Sequence, residues 1–375
     1  MYKLNENDKE YIDGLWERID KKLQWVAPAT KDKLPYTTIN GVYNNMAEDD
    51  VSWWTNGFWG GMMWLMYLGT GNEMYRDVAE RSEELLDAAF DEYDKLHHDV
   101  GFMWHITAGV NYRVTGARKS YVRASIAADI LASRFNIKGG FIRSWNDEFP
   151  GRVIIDSMMN IPLLYWASRE TGDDRFRHIA VAHADKLMTA HIRSDGSVNH
   201  IVHLDPETGA FEQSFGGQGY GEGSSWTRGQ AWALYGYVLS YIHTGDVKYL
   251  DISKRVAHYF IANICGEWVS RVDFRSPEEP VIYDTTAAAC AACGLLEIAR
   301  VVPEHEKRLY LSAAINIVKT LDTGFCDWGD KEQSILQKGT EAYHREATRE
   351  IPLIYGDYFL AEAVYKLKGN KLLFW

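Results

Sequence analysis

Three stretches of the chain repeat one alternation of apolar and polar residues. LGTGNEMYRDVAERSEELL turns at Thr70, RETGDDRFRHIAVAHADKLM at Thr171 and IHTGDVKYLDISKRVAHYFI at Thr244. In each, Thr-Gly is followed by Asn or Asp, an aromatic residue stands five positions after the threonine (Tyr75, Phe176, Tyr249) and a small one nine after it (Ala79, Ala180, Ser253). This pattern predicts a helix closed by a glycine C-cap, a tight turn, and a second helix capped by Asn or Asp. Before each corner the run is apolar on all sides (NGFWGGMMWLMYLG, GRVIIDSMMNIPLLYWASRE, SWTRGQAWALYGYVLSYIH); after it the run is charged and one-sided. A helix apolar all round must be enclosed, whereas an amphipathic one can face water, so the hairpins predict an inner and an outer layer. SYVRASIAADILASRF, DTTAAACAACGLLEIARVV and YGDYFLAEAVYKLKG add three inner-type runs without such a corner. Six inner and six outer helices with no Pro/Ser-rich linker predict one all-α domain over residues 1–375, an (α/α)6 barrel. Residues 197–211 and 267–277 read as minor β-hairpins at its rim, and the glycine-rich 213–225 as a loop. In such a barrel the inner-helix ends and rim loops enclose a cavity, where a site is expected.

Composition narrows the partners. Hydrophobic residues at 46% with only 9 Pro describe a folded chain with a large core. A formal charge of -12 excludes a general nucleic-acid binder, so an anionic ligand needs a local pocket. Four cysteines, Cys265, Cys290, Cys293 and Cys326, are too few for a disulfide framework and read as reduced thiols. The first residues lack a signal-like apolar stretch and no run approaches membrane-spanning length, so a soluble cytoplasmic protein with no membrane partner is expected. The 14 Trp and 22 Tyr are unusual: their faces fill cores, but they also suit the C–H faces of sugar rings, and composition does not choose between the two.

Asp156 is the most informative polar position, because it interrupts the apolar VIIDSMMNIPLLYWA. Arg152, Asp156 and Asn160 are spaced four apart, which on a helix makes a polar stripe. A structural ion pair or a cap explains that spacing; so does a carboxyl whose pKa is raised by burial and which donates a proton near neutrality. Asp99 in KLHHDVGFMWH is the second carboxylate. On an extended chain the adjacent His97 and His98 point to opposite sides, so one of them at most shares a site with Asp99. HHD lacks the spacing of a helical metal motif, and no metal is expected. In EGSSWTRGQAWALYG, Arg228 and Trp232 are four apart, joining a cation to an aromatic plate suited to a sugar carboxylate. Trp54, Asn56 and Trp145 are further candidates for stacking or hydrogen bonding, although a single Trp is as readily a core residue. Cys290 and Cys293 form a C-x-x-C inside an Ala-rich apolar run, which reads as buried thiols. GGQGYGEG lacks the context of a nucleotide loop.

As an ordered set, WTNGFWGG, HHDVGF, GRVIIDSMMNIPLLYWA, SSWTRGQAWALYG, DTTAAACAACGLLEIA and YGDYFLAEA resemble the unsaturated glucuronyl hydrolases, glycoside hydrolase family 88, from about Trp54 to Leu367. The resemblance implies an (α/α)6 barrel and a substrate left by polysaccharide lyases, an oligosaccharide ending in a 4,5-unsaturated uronic acid. It implies that Asp156 is the general acid/base and Asp99 the second essential aspartate. His98, Trp54, Trp145, His200, Gln218, Arg228 and Trp232 then match positions lining the sugar pocket, with no cofactor required. The implied reaction protonates C4 and adds water at C5, so the anomeric carbon is not attacked. Two places depart from the family pattern: Gly217 stands before the glutamine where the family carries His, and 337–352 is shorter than its counterpart. Other readings are a rhamnogalacturonyl hydrolase acting on pectin fragments, a sugar epimerase using His97, His98 or His200 as proton shuttles, and a non-catalytic glycan binder.

Overall fold

The computed structural model describes residues 4–375, and their fold follows from the corners. Gly71, Gly172 and Gly245 each adopt φ of 72–73°, the left-handed region that glycine enters without penalty. Thr70, Thr171 and Thr244 each turn their hydroxyl back to a carbonyl four residues earlier at 2.7 Å. Asn72, Asp173 and Asp246 then accept the N–H two residues on, at 3.1, 2.9 and 3.2 Å, capping the next helix.

Among the described residues the inner layer comprises Gly57–Thr70, the run from Val100 to Thr115, Pro162–Thr171, Thr227–Thr244, Thr285–Val301 and Ile354–Leu367. The outer layer comprises Glu6–Ala29, Glu73–Leu85, Arg118–Ser133, Asp174–His191, Val247–Ile264 and Glu304–Phe325. Ile354–Leu367 packs on Gly57–Thr70 and closes the ring, giving the (α/α)6 barrel. None of these helices is long and apolar enough to cross a membrane.

One helix changes layer relative to the sequence reading. SYVRASIAADILASRF lies outside, in Arg118–Ser133, with Val122 and Ile126 39% and 41% exposed and Ala124, Ala127, Ala128 and Leu131 buried. Its inner partner is the 100–115 run, which contains a π-turn at His105–Gly109 and is buried from Val100 to Asn111. They meet at a fourth Thr-Gly corner, where the N–H of Ala117 bonds Thr115 Oγ1 at 3.1 Å and Gly116 has φ 74°. The corner escapes the pattern because Ala117 stands where the others carry Asn or Asp.

The rim strands also differ in detail. Ile201–Leu204 pairs with Phe211–Phe215, as a hairpin at 197–211 predicts, but also with Arg152–Ile154, forming a three-stranded antiparallel sheet. Segment 267–277 makes no hairpin of its own; Asp273 and Arg271 form single bridges to Trp226 and Tyr283. On the barrel axis Trp375 is buried, stacks on Phe359 at 6.1 Å, approaches Phe58 and Phe102 in the first turns of their helices at 6.4 and 5.8 Å, and donates its indole N–H to Glu362 at 3.1 Å. That aromatic plug fills the axis directly behind Phe58 and Phe102, on which the cavity residue Trp54 packs.

Candidate active site

The candidate side chains gather where inner helices begin. Trp54 precedes Gly57–Thr70, Asp99 immediately precedes Val100, Asp156 precedes Pro162–Thr171, and Arg228 is in the first turn of Thr227–Thr244. Helix N-termini carry partial positive charge, so the rim favours an anion even in a chain of net charge -12. The cavity measures about 420 Å³; Trp53, Trp54, Trp145, Ile154 and Ile201 supply apolar wall, and Asp99, Asp156, His97, His200, Gln218 and Arg228 supply polar groups. Gly217 and the segment Glu341, Ala342, His344 and Arg345 complete it.

Asp156 is presented by a strand-to-turn elbow rather than by an α-helix. Arg152 lies in the strand Arg152–Ile154, Asp156 in the 3-10 turn Ile155–Met159, and Asn160 at its end, so the three form no helical stripe. Arg152 instead bonds Asp147 and, at 3.0 Å, His203. The elbow is tied from behind. Ile142 N–H donates to His183 Nδ1 at 2.9 Å, which leaves the proton on Nε2 to meet Ser157 Oγ at 2.7 Å, and Ser157 donates to Ile154 O at 2.7 Å. Asn160 links the two carboxylate segments: its Nδ2 donates to Asp99 Oδ1 at 2.9 Å, and its Oδ1 accepts Phe102 N–H at 2.8 Å.

Strand pairing of Ile154 with Ile201 brings His200 beside Asp156. Gln218 N–H donates to His200 Nδ1 at 3.0 Å, so the neutral ring carries its proton on Nε2, which faces Asp156 Oδ2 at 3.5 Å. Neither Nε2 nor that oxygen has a hydrogen-bond partner among the described residues. Gln218 itself is committed to the opposite wall, donating Nε2 to Glu341 O at 2.8 Å and accepting Tyr343 N–H at 2.8 Å.

His97, His98 and Asp99 form a turn, not an extended strand, and so both histidines approach the same carboxylate: His97 Nδ1 and His98 Nε2 each lie 3.4 Å from Asp99 Oδ2. Burial, then the charge of Asp156, pushes Asp99 well above the usual carboxylate range, against the pull of the Asn160 hydrogen bond. Burial pushes His97 down to about 4 and His98 well below its ordinary value. The Asp99 carboxyl thus stands between two rings that burial keeps neutral.

Arg228 reaches the cavity wall with its charge already engaged. Its guanidinium bonds Asp284 at 2.6 Å and the carbonyls of Thr340 and Glu341 at 2.7 and 2.8 Å, and Nε is left without a partner among the described residues. The plates that sandwich it are Trp226 at 4.5 Å and Tyr355 at 5.2 Å, not Trp232. Trp232 is fully buried against Phe102 and Phe359. Asn56 and His98 also stand behind the lining: Asn56 donates to the carbonyls of Asp50 and Val51 at 3.1 and 2.9 Å, and His98 is fully buried. Trp53, His344, Arg345 and Glu341 also line the cavity and carry no local sequence signal. The last three sit in the irregular 340–350 segment, where no periodicity marks a face.

The Glycosyl Hydrolase Family 88 profile matches residues 30–272. The chain belongs to this glycoside hydrolase family. It is 35% identical to the unsaturated glucuronyl hydrolase of Bacillus sp. (strain GL1) over 92% of this chain and 93% of that one. It is 32% identical to the unsaturated chondroitin disaccharide hydrolase of Streptococcus pyogenes serotype M1 over 94% and 88%. A solved structure of UGL with dGlcA-Glc-Rha-Glc superposes with a TM-score of 0.88 at 33% identity, over 94% of this chain and 97% of that one. As a family 88 member the chain places its carboxylates, aromatic walls and helix N-termini around a single cavity.

Proposed function

We propose that this family 88 hydrolase removes the 4,5-unsaturated uronic acid from the non-reducing end of lyase-generated oligosaccharides, of glycosaminoglycan type. The observation that carries the reading is the pair Asp99 and Asp156 in one aromatic-walled cavity beside His200. The relatives named for unsaturated glucuronyl and chondroitin substrates support the substrate class.

The C4=C5 bond of such a sugar is an enol ether. A proton from the Asp156 carboxyl goes to C4, and the π electrons of C4=C5 form the new C–H bond. Positive charge then rests on C5 and is shared with the ring oxygen. Water attacks C5, and Asp156, now a carboxylate, takes the proton that water loses, so H and OH have been added across the double bond. The C5 hemiketal opens to a ketone, its proton passing to the former ring oxygen. The hemiacetal left at C1 collapses to an aldehyde and expels the neighbouring sugar as an alcohol. Asp99, held by the Asn160 amide, positions the substrate over Asp156. His200, aimed by Gln218, holds Asp156 in place, while Trp54 and Trp145 bracket the sugar ring. Site of action is proposed to be the cytoplasm, supported by four cysteines that form no disulfide, two of them buried in Thr285–Val301.

The test is a panel of lyase-generated disaccharides from chondroitin, hyaluronan, heparin and pectin. Decay of the double-bond ultraviolet absorbance with release of the second sugar is expected for the first three classes, and Asp156→Asn should fold but lose roughly 10²–10⁴ in kcat. Absence of decay on every member, or a fully active Asp156→Asn, refutes the proposal.

A further inference from the structure

We propose that His97, His98 and Asp99 form a latent binding site for a borderline divalent transition-metal cation, with Zn2+ the best match, and that the bound cation inhibits the enzyme. The inhibitory half rests on the function proposed above; the binding half does not.

The geometry comes from the turn. Asp99 Oδ2 is 3.4 Å from His97 Nδ1 and 3.4 Å from His98 Nε2. In a tetrahedral zinc site with bonds of about 2.0–2.1 Å, neighbouring ligand atoms are separated by about 3.3–3.4 Å. Two edges of the tetrahedron thus stand at ligand spacing already. The three donor atoms all lie within 4.8 Å of one another, and the His97 ring that would have to approach is only half-buried.

A second observation points the same way. His98 is fully buried, yet neither of its ring nitrogens has a hydrogen-bond partner among the described residues. A buried polar ring is normally satisfied, and an orphaned one aimed at a carboxylate suits a metal ion. The contact of His97 Nδ1 with the Asp99 N–H is long, at 3.5 Å, and is exchanged for a metal bond at little cost. His97 and Asp99 line the cavity, so the fourth position opens towards it, where water or a ligand carboxylate completes the shell. Two imidazoles and one carboxylate suit Zn2+ over Mg2+ or Ca2+, which take oxygen ligands. The nearby guanidinium of Arg134, engaged with Ser144 O, Arg143 O and Asn146, opposes a cation at Asp99 and favours reversible occupancy over a resident ion.

The bound cation takes the Asp99 oxygen that positions the substrate in the proposed reaction and sits in the same cavity, so occupancy and turnover exclude each other. The test is titration of the chelator-treated full chain with Zn2+ by calorimetry and with Co2+ by visible absorption, whose intensity reports tetrahedral ligands. One equivalent is expected to bind, with a tetrahedral Co2+ spectrum. His97→Ala and His98→Gln should each lower the affinity by at least about tenfold, and Cys265→Ser, which removes the exposed thiol, should leave it unchanged. Zn2+ should abolish turnover of an unsaturated disaccharide, with recovery on chelation. No saturable uptake, uptake indifferent to both histidine variants, or uptake lost in Cys265→Ser overturns the site. Binding that leaves turnover intact overturns the inhibitory role. A metal-free chain that turns over no unsaturated disaccharide counts against the proposed function, and the Co2+ spectrum still decides the site.

Discussion

Gly217 lies so close to His200 that a Cβ at position 217 would stand 2.1 Å from the imidazole Nδ1. The residue also has φ 58°, which side-chain-bearing residues adopt at a cost of about 1–2 kcal/mol. The glycine lets the next N–H, that of Gln218, reach His200 and fix which ring nitrogen faces Asp156. Gly217→Ala should therefore lower kcat by roughly ten- to a hundredfold through displacement of His200, with only a small fall in Tm. Steady-state kinetics alongside calorimetry checks this; unchanged kcat contradicts it.

Asp99→Asn separates stability from activity. Because Asp99 binds its proton more tightly when folded than when unfolded, its favourable contribution is complete below the ordinary carboxylate pKa and is lost as pH rises towards the folded value. An asparagine removes that loss while still accepting the Asn160 hydrogen bond. The variant should melt higher than the parent at pH 7–8, with the difference shrinking towards pH 4, while activity falls. Melting curves across that range decide the point, and a variant less stable at pH 8 than its parent contradicts it.

The buried histidines give the opposite slope. Burial pushes His97, His191 and His243 down to about 4 and His183 to about 3 from an ordinary 6.5. Above 6.5 both folded and unfolded chains hold these rings neutral. As pH falls through the window from 6.5 to about 4 the unfolded chain takes up protons that the folded one refuses, so each ring lowers stability by up to about 1.4 kcal/mol per pH unit. Denaturant midpoints should drop steadily from pH 6.5 downward, before most carboxylates protonate; a flat profile from pH 7 to 5 contradicts this.

Arg228 holds a wall of the cavity. Its fork spans Asp284 and the carbonyls of Thr340 and Glu341, and so fixes the start of the segment carrying His344 and Arg345. Arg228→Met strands the buried Asp284 carboxylate and should cost about 3–5 kcal/mol. Arg228→Lys keeps the charge but not the planar fork; it should lose less stability, and its KM should rise more than its kcat falls. Equilibrium unfolding and disaccharide kinetics on both variants test this, and a fully stable Arg228→Met contradicts it.

The barrel was legible because Thr-Gly-Asn/Asp corners carry their own mechanism, a left-handed glycine followed by a side-chain cap. Where Ala117 replaces the cap, the same corner carries no cap signal, and the low charge of Arg118–Ser133 reads as an inner helix although Val122 and Ile126 face outward. Asp156 and Asp99 stood out as carboxylates beside apolar runs. Their setting did not, because the sheet that places His200 next to Asp156 is a long-range pairing of short strands. The partner of Arg228 was equally distant: Asp284 reads locally as the N-cap of the Ala-rich helix, which it also is. Segment 340–350 has neither period nor cap to betray the residues it turns into the cavity.

The central claim is that water adds at C5 of the unsaturated sugar, and trapping with methanol tests it most directly. Turnover in aqueous methanol should give an intermediate or product bearing the methoxyl on C5, with the neighbouring sugar still attached, as seen by carbon NMR and mass spectrometry. A methyl glycoside at C1, with the C4=C5 bond intact and the neighbouring sugar gone, would contradict the account.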